Sequence, residues 1–262
     1  MNAYGQFRCV RRLLETPTGV VLWSATKDGE DAPPAYAVKV YDPPSYLVAD
    51  AAGHRADFLE SARDQSALAS QSQGWATVHD AGVVEGGAAF SVTDLFVAPD
   101  GLRPSSAETL SKLPGMVPSR GLASVVTAIV AALRDGQATG RPHGNLKAAN
   151  VLLGTLRKDD LRGSRVVLID PAPASRLRPG TDDRPAIAAV ICQILFRREF
   201  QAESVAIPPE EQWPATGPAW AFWRSLCADL LAANPGARPD FDAMTARLAA
   251  APSGKPPLGV PK

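Results

Sequence analysis

The sequence predicts an α+β fold, with a strand-rich N-terminal part followed by a mainly helical remainder. Three observations carry this expectation. Up to Leu95 the chain alternates short apolar, β-branched or aromatic runs with polar turns, the mark of strands. From Ser119 onward apolar residues recur at helical spacing. One helical pattern interrupts the strands, so the first part reads as three strands, one helix and two strands.

In chain order, Val20-Val21-Leu22-Trp23 and Ala35–Tyr41 are strand-like runs separated by the polar turn Lys27-Asp28-Gly29-Glu30-Asp31. Residues 56–71 form the helix, with Phe58, Leu59, Ala62, Ala67 and Leu68 on its apolar side. Ala81–Glu85 and Ala88–Leu95 are strands joined by the hairpin signal Glu85-Gly86-Gly87. Ser119 is the expected N-cap of a helix reaching about Asp135, with Leu122, Val125, Val126, Ile129 and Leu133 on its buried face. Val151-Leu152-Leu153 and Val166–Ile169 read as short strands around the charged, solvated loop Arg157–Arg165. Helical patterns return at 184–197, 219–233 and 240–250, with Trp213, Trp220, Phe222 and Trp223 as packing aromatics. Pro252–Lys262 holds four prolines and two glycines and reads as a tail or linker.

Composition narrows the function classes. Of 262 residues 45% are hydrophobic and 21% charged, ordinary values for a folded protein with a sizeable core. Lys+Arg and Asp+Glu are equal at 27 each, so no global field points to nucleic acid or an anionic membrane. The apolar stretches Gly121–Leu133 and Pro185–Phe196 are too short to span a bilayer, and the N-terminus lacks a signal-peptide pattern. Cys9, Cys192 and Cys227 are odd in number and widely spaced, which fits a reducing cytoplasm rather than a disulfide framework. His54, His79 and His143 are scattered, with no two at metal-ligand spacing on a helix.

Residues 143–150, His-Gly-Asn-Leu-Lys-Ala-Ala-Asn, precede the apolar run Val151-Leu152-Leu153. They resemble the catalytic loop of protein kinases, His-Arg-Asp-Leu-Lys-x-x-Asn, with Asn145 at the position of the base and Gly144 at that of the arginine. Ala37-Val38-Lys39-Val40 resembles the strand whose lysine holds the α- and β-phosphates of ATP, and Asp170 the metal-binding Asp of Asp-Phe-Gly. Thr93-Asp94-Leu95 is similar to the gatekeeper and hinge beside the adenine. Asn234-Pro235-x-x-Arg238-Pro239 is similar to the signature between the last helices, and Asp183 to the acid that ties down the catalytic-loop backbone. These motifs stand in family order over roughly residues 8–250.

The resemblance implies a bilobal protein-kinase-like fold. Its N-lobe, 1–95, would be a five-stranded antiparallel sheet with one helix, its C-lobe, 96–251, mainly helical, and 252–262 a proline-rich tail. It implies Lys147 as the γ-phosphate contact, and Gly19, Val21, Ala37, Lys39, Glu60, Thr93, Asp94, Leu95, Asn150, Leu152 and Asp170 around ATP. Asn150 and Asp170 would hold Mg²⁺, and His143, Asp183 and Arg238 would be structural. Glu60 is the first choice to pair with Lys39, and Asp64, one turn later, the substitute. Read alone, Lys39 would be a solvated surface lysine and His143 a packed core residue.

Four departures bear on mechanism. The Asn145 amide can hydrogen-bond a substrate hydroxyl but cannot accept its proton at neutral pH. In a loose phosphoryl-transfer transition state that loss costs about 10²–10⁴-fold rather than all activity. Leu14 and Thr16 occupy the first two glycine positions of the phosphate-covering loop, with Pro17 between them, where side chains crowd the phosphates and proline lacks an N–H. Asp-Phe-Gly has become Asp170-Pro171-Ala172, whose locked proline φ opposes an in–out movement. Only 13 positions separate Asp170 from Asp183, and residues 171–181 contain no acid. The activation loop and its peptide platform are therefore missing, and Arg238 has lost its usual glutamate.

This coordinated loss resembles a pseudokinase domain of the bacterial serine/threonine-kinase type, a source the Ala-, Arg- and Pro-rich composition fits. It implies a signalling or scaffolding module with a protein partner, in which Lys39, Asn150 and Asp170 retain a capacity for MgATP. Two alternatives stay open. One is a slow or atypical phosphotransferase, akin to a serine/threonine kinase or a small-molecule kinase. The other is a kinase-shaped interaction surface with no nucleotide.

Overall fold

The computed structural model describes residues 2–42, 51–200, 206–213 and 217–253. By internal contacts the chain divides into two compact units, Met1–Pro104 with Ile169–Pro179, and Ser105–Leu168 with Gly180–Lys262.

The first unit is built on an antiparallel sheet of β1 (Ala3–Tyr4), β2 (Phe7–Glu15), β3 (Val20–Lys27), β4 (Tyr36–Tyr41), β5 (Val78–Val83) and β6 (Ala89–Asp94). Its strand order is β1-β2-β3-β4-β6-β5. The sheet therefore has six strands rather than the five expected. The extra strand, β1, turns back at Gly5 (φ 56) to pair Tyr4 with Phe7, and two residues are too few to show a period. Glu85-Gly86-Gly87 does join the last two strands, with both glycines at positive φ, where a side chain would be strained. Alternate residues of β2, β4 and β6 share one face, so Phe7, Cys9, Val38, Val40, Phe90 and Val92 form a single cluster against Tyr4, Trp23 and Tyr36. The helix α1 (Ala51–Ala69) belongs to this unit and starts five residues before the periodic stretch, because Ala52–Arg55 carry no apolar repeat.

The second unit holds α2 (Ala107–Lys112), α3 (Ser119–Ala138), the hairpin β7 (Val151–Leu153) and β8 (Val166–Leu168), α4 (Arg184–Phe196), α5 (Pro218–Leu230) and α6 (Phe241–Ala249). The expected face of α3, Leu122, Val125, Val126, Ile129 and Leu133, is buried. Ser119 differs from expectation. Pro118 is the N-cap, and the Ser119 hydroxyl, already inside the helix, accepts the indole N–H of the buried Trp223 at 3.0 Å. A buried indole needs an acceptor more than a helix end near solvent needs a cap. α4 is buried from Ala186 to Leu195, as a central helix must be, and ends at Arg197 in the left-handed region (φ 59). The Arg197 guanidinium donates to the carbonyls of Ser111 and Lys112, closing the C-terminal end of α2 with positive charge. α2 itself is six residues long, too short to announce itself by periodicity. Among the described residues, no helix is long and apolar enough to cross a membrane.

Leu122→Ala, at a site with no solvent exposure, should cost about 2–5 kcal/mol in equilibrium urea unfolding, while Val10→Ala, 52% exposed on β2, should stay within about 0.5 kcal/mol. Equal effects of the two would refute this placement of the core.

Candidate functional site

Two sets of residues, one in each unit, contain the positions singled out by sequence. In the first unit, antiparallel pairing aligns Lys39 on β4 with Leu22 on one side and Ser91 on the other. The Lys39 ammonium meets the Asp170 carboxylate at 2.6 Å, with both side chains about one-quarter exposed (24% and 28%). It also lies 5.5 Å from the centre of the Phe58 ring of α1, which stacks on Tyr41. Asp170 adopts a left-handed backbone (φ 56), a conformation that non-glycine residues seldom take.

The Lys39–Glu60 pair expected from sequence is replaced by another arrangement. Glu60 accepts both the backbone N–H of Ser175 at 2.8 Å and its hydroxyl at 2.6 Å, and these bonds hold its carboxyl below the ordinary range. Asp64, the substitute, accepts the N–H of Ala174 at 2.9 Å, and Asp57 pairs with the Arg176 guanidinium. Asp57, Glu60 and Asp64 are three and four residues apart and so share one stripe of α1. That stripe receives the short turn Ala174–Arg176 that follows Asp170-Pro171. Sequence reasoning treated Glu60 and Asp64 as candidates for Lys39, whereas the backbone N–H groups of Ser175 and Ala174 take their carboxylates. Two residues it missed entirely are Ser61, whose hydroxyl donates to the Pro171 carbonyl at 2.7 Å, and Gln65, whose amide oxygen accepts the Asp170 N–H at 2.8 Å.

The loop between β2 and β3 closes on itself. Thr16 N–H donates to Val20 O, Gly19 N–H to Thr16 O, and Val20 N–H to the Thr16 hydroxyl. Pro17 has no N–H to offer, and Leu14 is exposed on the strand before the turn. Gly19 is left-handed (φ 83), and its carbonyl takes the N–H of Asp42. Val21 pairs with Val40, and Ala37 is buried opposite Thr93. At the hinge positions the Leu95 N–H is already bonded to Ala35 O, and the Asp94 carboxylate holds His79 at 2.7 Å.

In the second unit, Asp183 accepts the backbone N–H groups of His143 (2.7 Å) and Gly144 (2.8 Å), so this acid does tie down the loop backbone. Burial pushes its carboxyl up, against the pull of those two donors. His143 has no solvent exposure, and its Nδ1 accepts the Asn145 N–H. Gly144 is left-handed (φ 64), so a side chain at the position of the family's arginine would be strained here. The Asn145 and Lys147 side chains are exposed, whereas Asn150 is buried and its amide donates to the Asn145 carbonyl at 2.8 Å. Leu152 is buried on β7.

Arg238 has found a new acid. Its guanidinium donates to Asp182 at 2.7 Å and to the Ala232 carbonyl, and Arg184 grips the same carboxylate through two further bonds. Burial alone would raise the Asp182 carboxyl, but the two arginines outweigh it and hold it below the ordinary range. A carboxyl lowered on folding stabilises the fold above its unfolded pKa and loses that contribution as pH falls through its folded pKa. Asp182→Asn should therefore cost roughly 1–3 kcal/mol at pH 7 by urea unfolding, and the gap to wild type should narrow toward pH 3. A gap constant across that range would show that the charge is not what stabilises.

No protein-family model matches the chain, and no curated protein matches it. Many solved structures do, among them two forms of one kinase domain. A single mutant of the kinase domain of PknI from Mycobacterium tuberculosis is 20% identical over 95% of this chain and 97% of that one, with a TM-score of 0.62. A double mutant of the same domain is 22% identical over 92% and 96%, with a TM-score of 0.59. At that identity the likeness speaks for the fold, and the chain has the α+β fold of a protein kinase.

Proposed function

We propose that this chain is a pseudokinase-type signalling or scaffolding module of bacterial kind, whose binding of partner proteins outweighs any phosphotransfer. The observation that carries the reading is the fate of the segment after Asp170. In an active protein kinase this region is long and forms the platform on which a peptide substrate lies. Here it is short, and the acid stripe of α1 takes up its N–H groups and Arg176. Asn145 at the position of the base, and Arg238 turned to Asp182, support the same reading.

The donor set retained on the chain suits MgATP in part. The Lys39 ammonium would meet phosphate oxygens and the Asp170 carboxylate would meet Mg²⁺, as the kinase resemblance implies. The β2–β3 loop is poorly suited, since the N–H groups of Thr16, Gly19 and Val20 are spent within it. The two facts together favour weak nucleotide binding in which ATP acts as a structural ligand. The alternative, a slow phosphotransferase, draws its support from the Lys39–Asp170 pair, because positioning and charge outweigh base catalysis in a loose transition state. The three cysteines, all free and buried, are in keeping with a reducing compartment.

The test is a thermal melt with ATP or ADP, with and without Mg²⁺. At ten times Kd a ligand adds about 1.4 kcal/mol, or a Tm rise of about 3–6 °C for a chain of this size. The rise should require the metal and disappear in Lys39→Ala. A rise that survives Lys39→Ala removes Lys39 from the site, and no rise at millimolar nucleotide leaves the fold as an interaction surface alone.

A further inference from the structure

We infer that Gln65 is a positioning residue that sets the direction of the Asp170 carboxylate and thereby keeps Lys39 paired before any nucleotide or metal arrives. Gln65 is 3% exposed, an unusual place for a primary amide in a helix whose other described polar residues are at least partly exposed. Burying such an amide is costly unless both its ends are bonded. Both are. Nε2 donates to the Ala76 carbonyl at 2.9 Å, and Oε1 accepts the Asp170 N–H at 2.8 Å.

The second bond acts at the pivot of the site. Apart from Arg197 at the end of α4, Asp170 is the one non-glycine residue at positive φ among the described residues. Its carboxylate reaches Lys39 from that left-handed backbone. The next residue, Pro171, has no N–H, and the groups that α1 grips here are the Asp170 amide and the Pro171 carbonyl. Gln65 takes the first and Ser61, one turn earlier on the same helix face, takes the second. With the chain held on both sides, rotation about the Asp170 N–Cα bond must break the Gln65 or the Ser61 bond, so the Cα–Cβ direction from which the carboxylate departs is fixed by α1. An apolar residue at 65 would pack there without fixing that direction. The functional weight of this role rests on the reading of Lys39 and Asp170 as phosphate and metal ligands. The geometry itself is tested without nucleotide.

The experiment reads the reactivity of Lys39 in the whole chain. The protein is treated with a limiting amount of acetic acid N-hydroxysuccinimide ester, and acetylation at Lys39 is followed by mass spectrometry against the exposed Lys112 as internal reference. Asp170→Asn sets the rate for a lysine without its partner. Gln65→Met, close in size but without hydrogen bonds, should acetylate Lys39 about tenfold faster than wild type, the weight of one such bond, and approach the Asp170→Asn rate. Leu68→Ala removes a buried apolar side chain from the same helix, one turn on, and should leave the Lys39 rate at the wild-type value although the fold is weakened. Gln65→Met labelling at the wild-type rate, or Leu68→Ala labelling as fast as Gln65→Met, overturns the inference. A reading on wild type needs no variant: the Asp170 amide should exchange its hydrogen at the slow rate of the β4 amides, and exchange at the rate of the exposed Gly180 amide overturns it equally. Failure of ATP to bind would remove the nucleotide reading and leave these rates unchanged.

Discussion

The chemistry-bearing part of the first unit depends on the contact between α1 and the short segment that begins at Asp170. Along two turns of the helix, Asp57, Glu60, Ser61, Asp64 and Gln65 each bond to that segment, in most cases to its backbone. Backbone groups outside regular secondary structure need partners, and polar side chains at three- and four-residue spacing supply them. Two consequences follow. The acid that would serve Lys39 is engaged elsewhere, and Lys39 takes Asp170 instead. The segment that would present a peptide substrate is spent on intramolecular bonds.

The second unit meets a related demand with two adjacent acids. Asp183 turns inward and binds the backbone of His143 and Gly144, which holds the loop carrying Asn145 and Asn150 in shape. Asp182 supplies the countercharge for Arg184 and Arg238. A cluster of two arginines and one carboxylate, largely removed from water, is costly unless its donors are well placed, and here one oxygen serves Arg184 and the other serves both arginines.

Much of this was legible in the sequence, and the exceptions have physical reasons. The alternation of strands with a single helix, the buried face of α3 and the link from Asp183 to the loop all follow from patterns that repeat over many residues or sit in a recognisable motif. β1 and α2 did not register because two and six residues carry no period. Ser119 read as a cap because the indole that claims its hydroxyl is 104 positions away in sequence. Glu60 read as the partner of Lys39 because charge and spacing allowed it, and only the fold reveals nearer N–H groups. Gln65 was invisible for the opposite reason, since an amide in a helix reads as surface until its partners are placed.

The most direct test of the central reading is transfer of labelled γ-phosphate from ATP, with Mg²⁺ or Mn²⁺, to the chain itself, to a peptide mixture and to small alcohols. On the proposed reading, with an amide at the base position and the segment after Asp170 bonded to α1, wild type and Lys39→Ala should incorporate the same background label. Incorporation by wild type that is lost in Lys39→Ala, and raised by Asn145→Asp, would contradict that account and make this chain an enzyme.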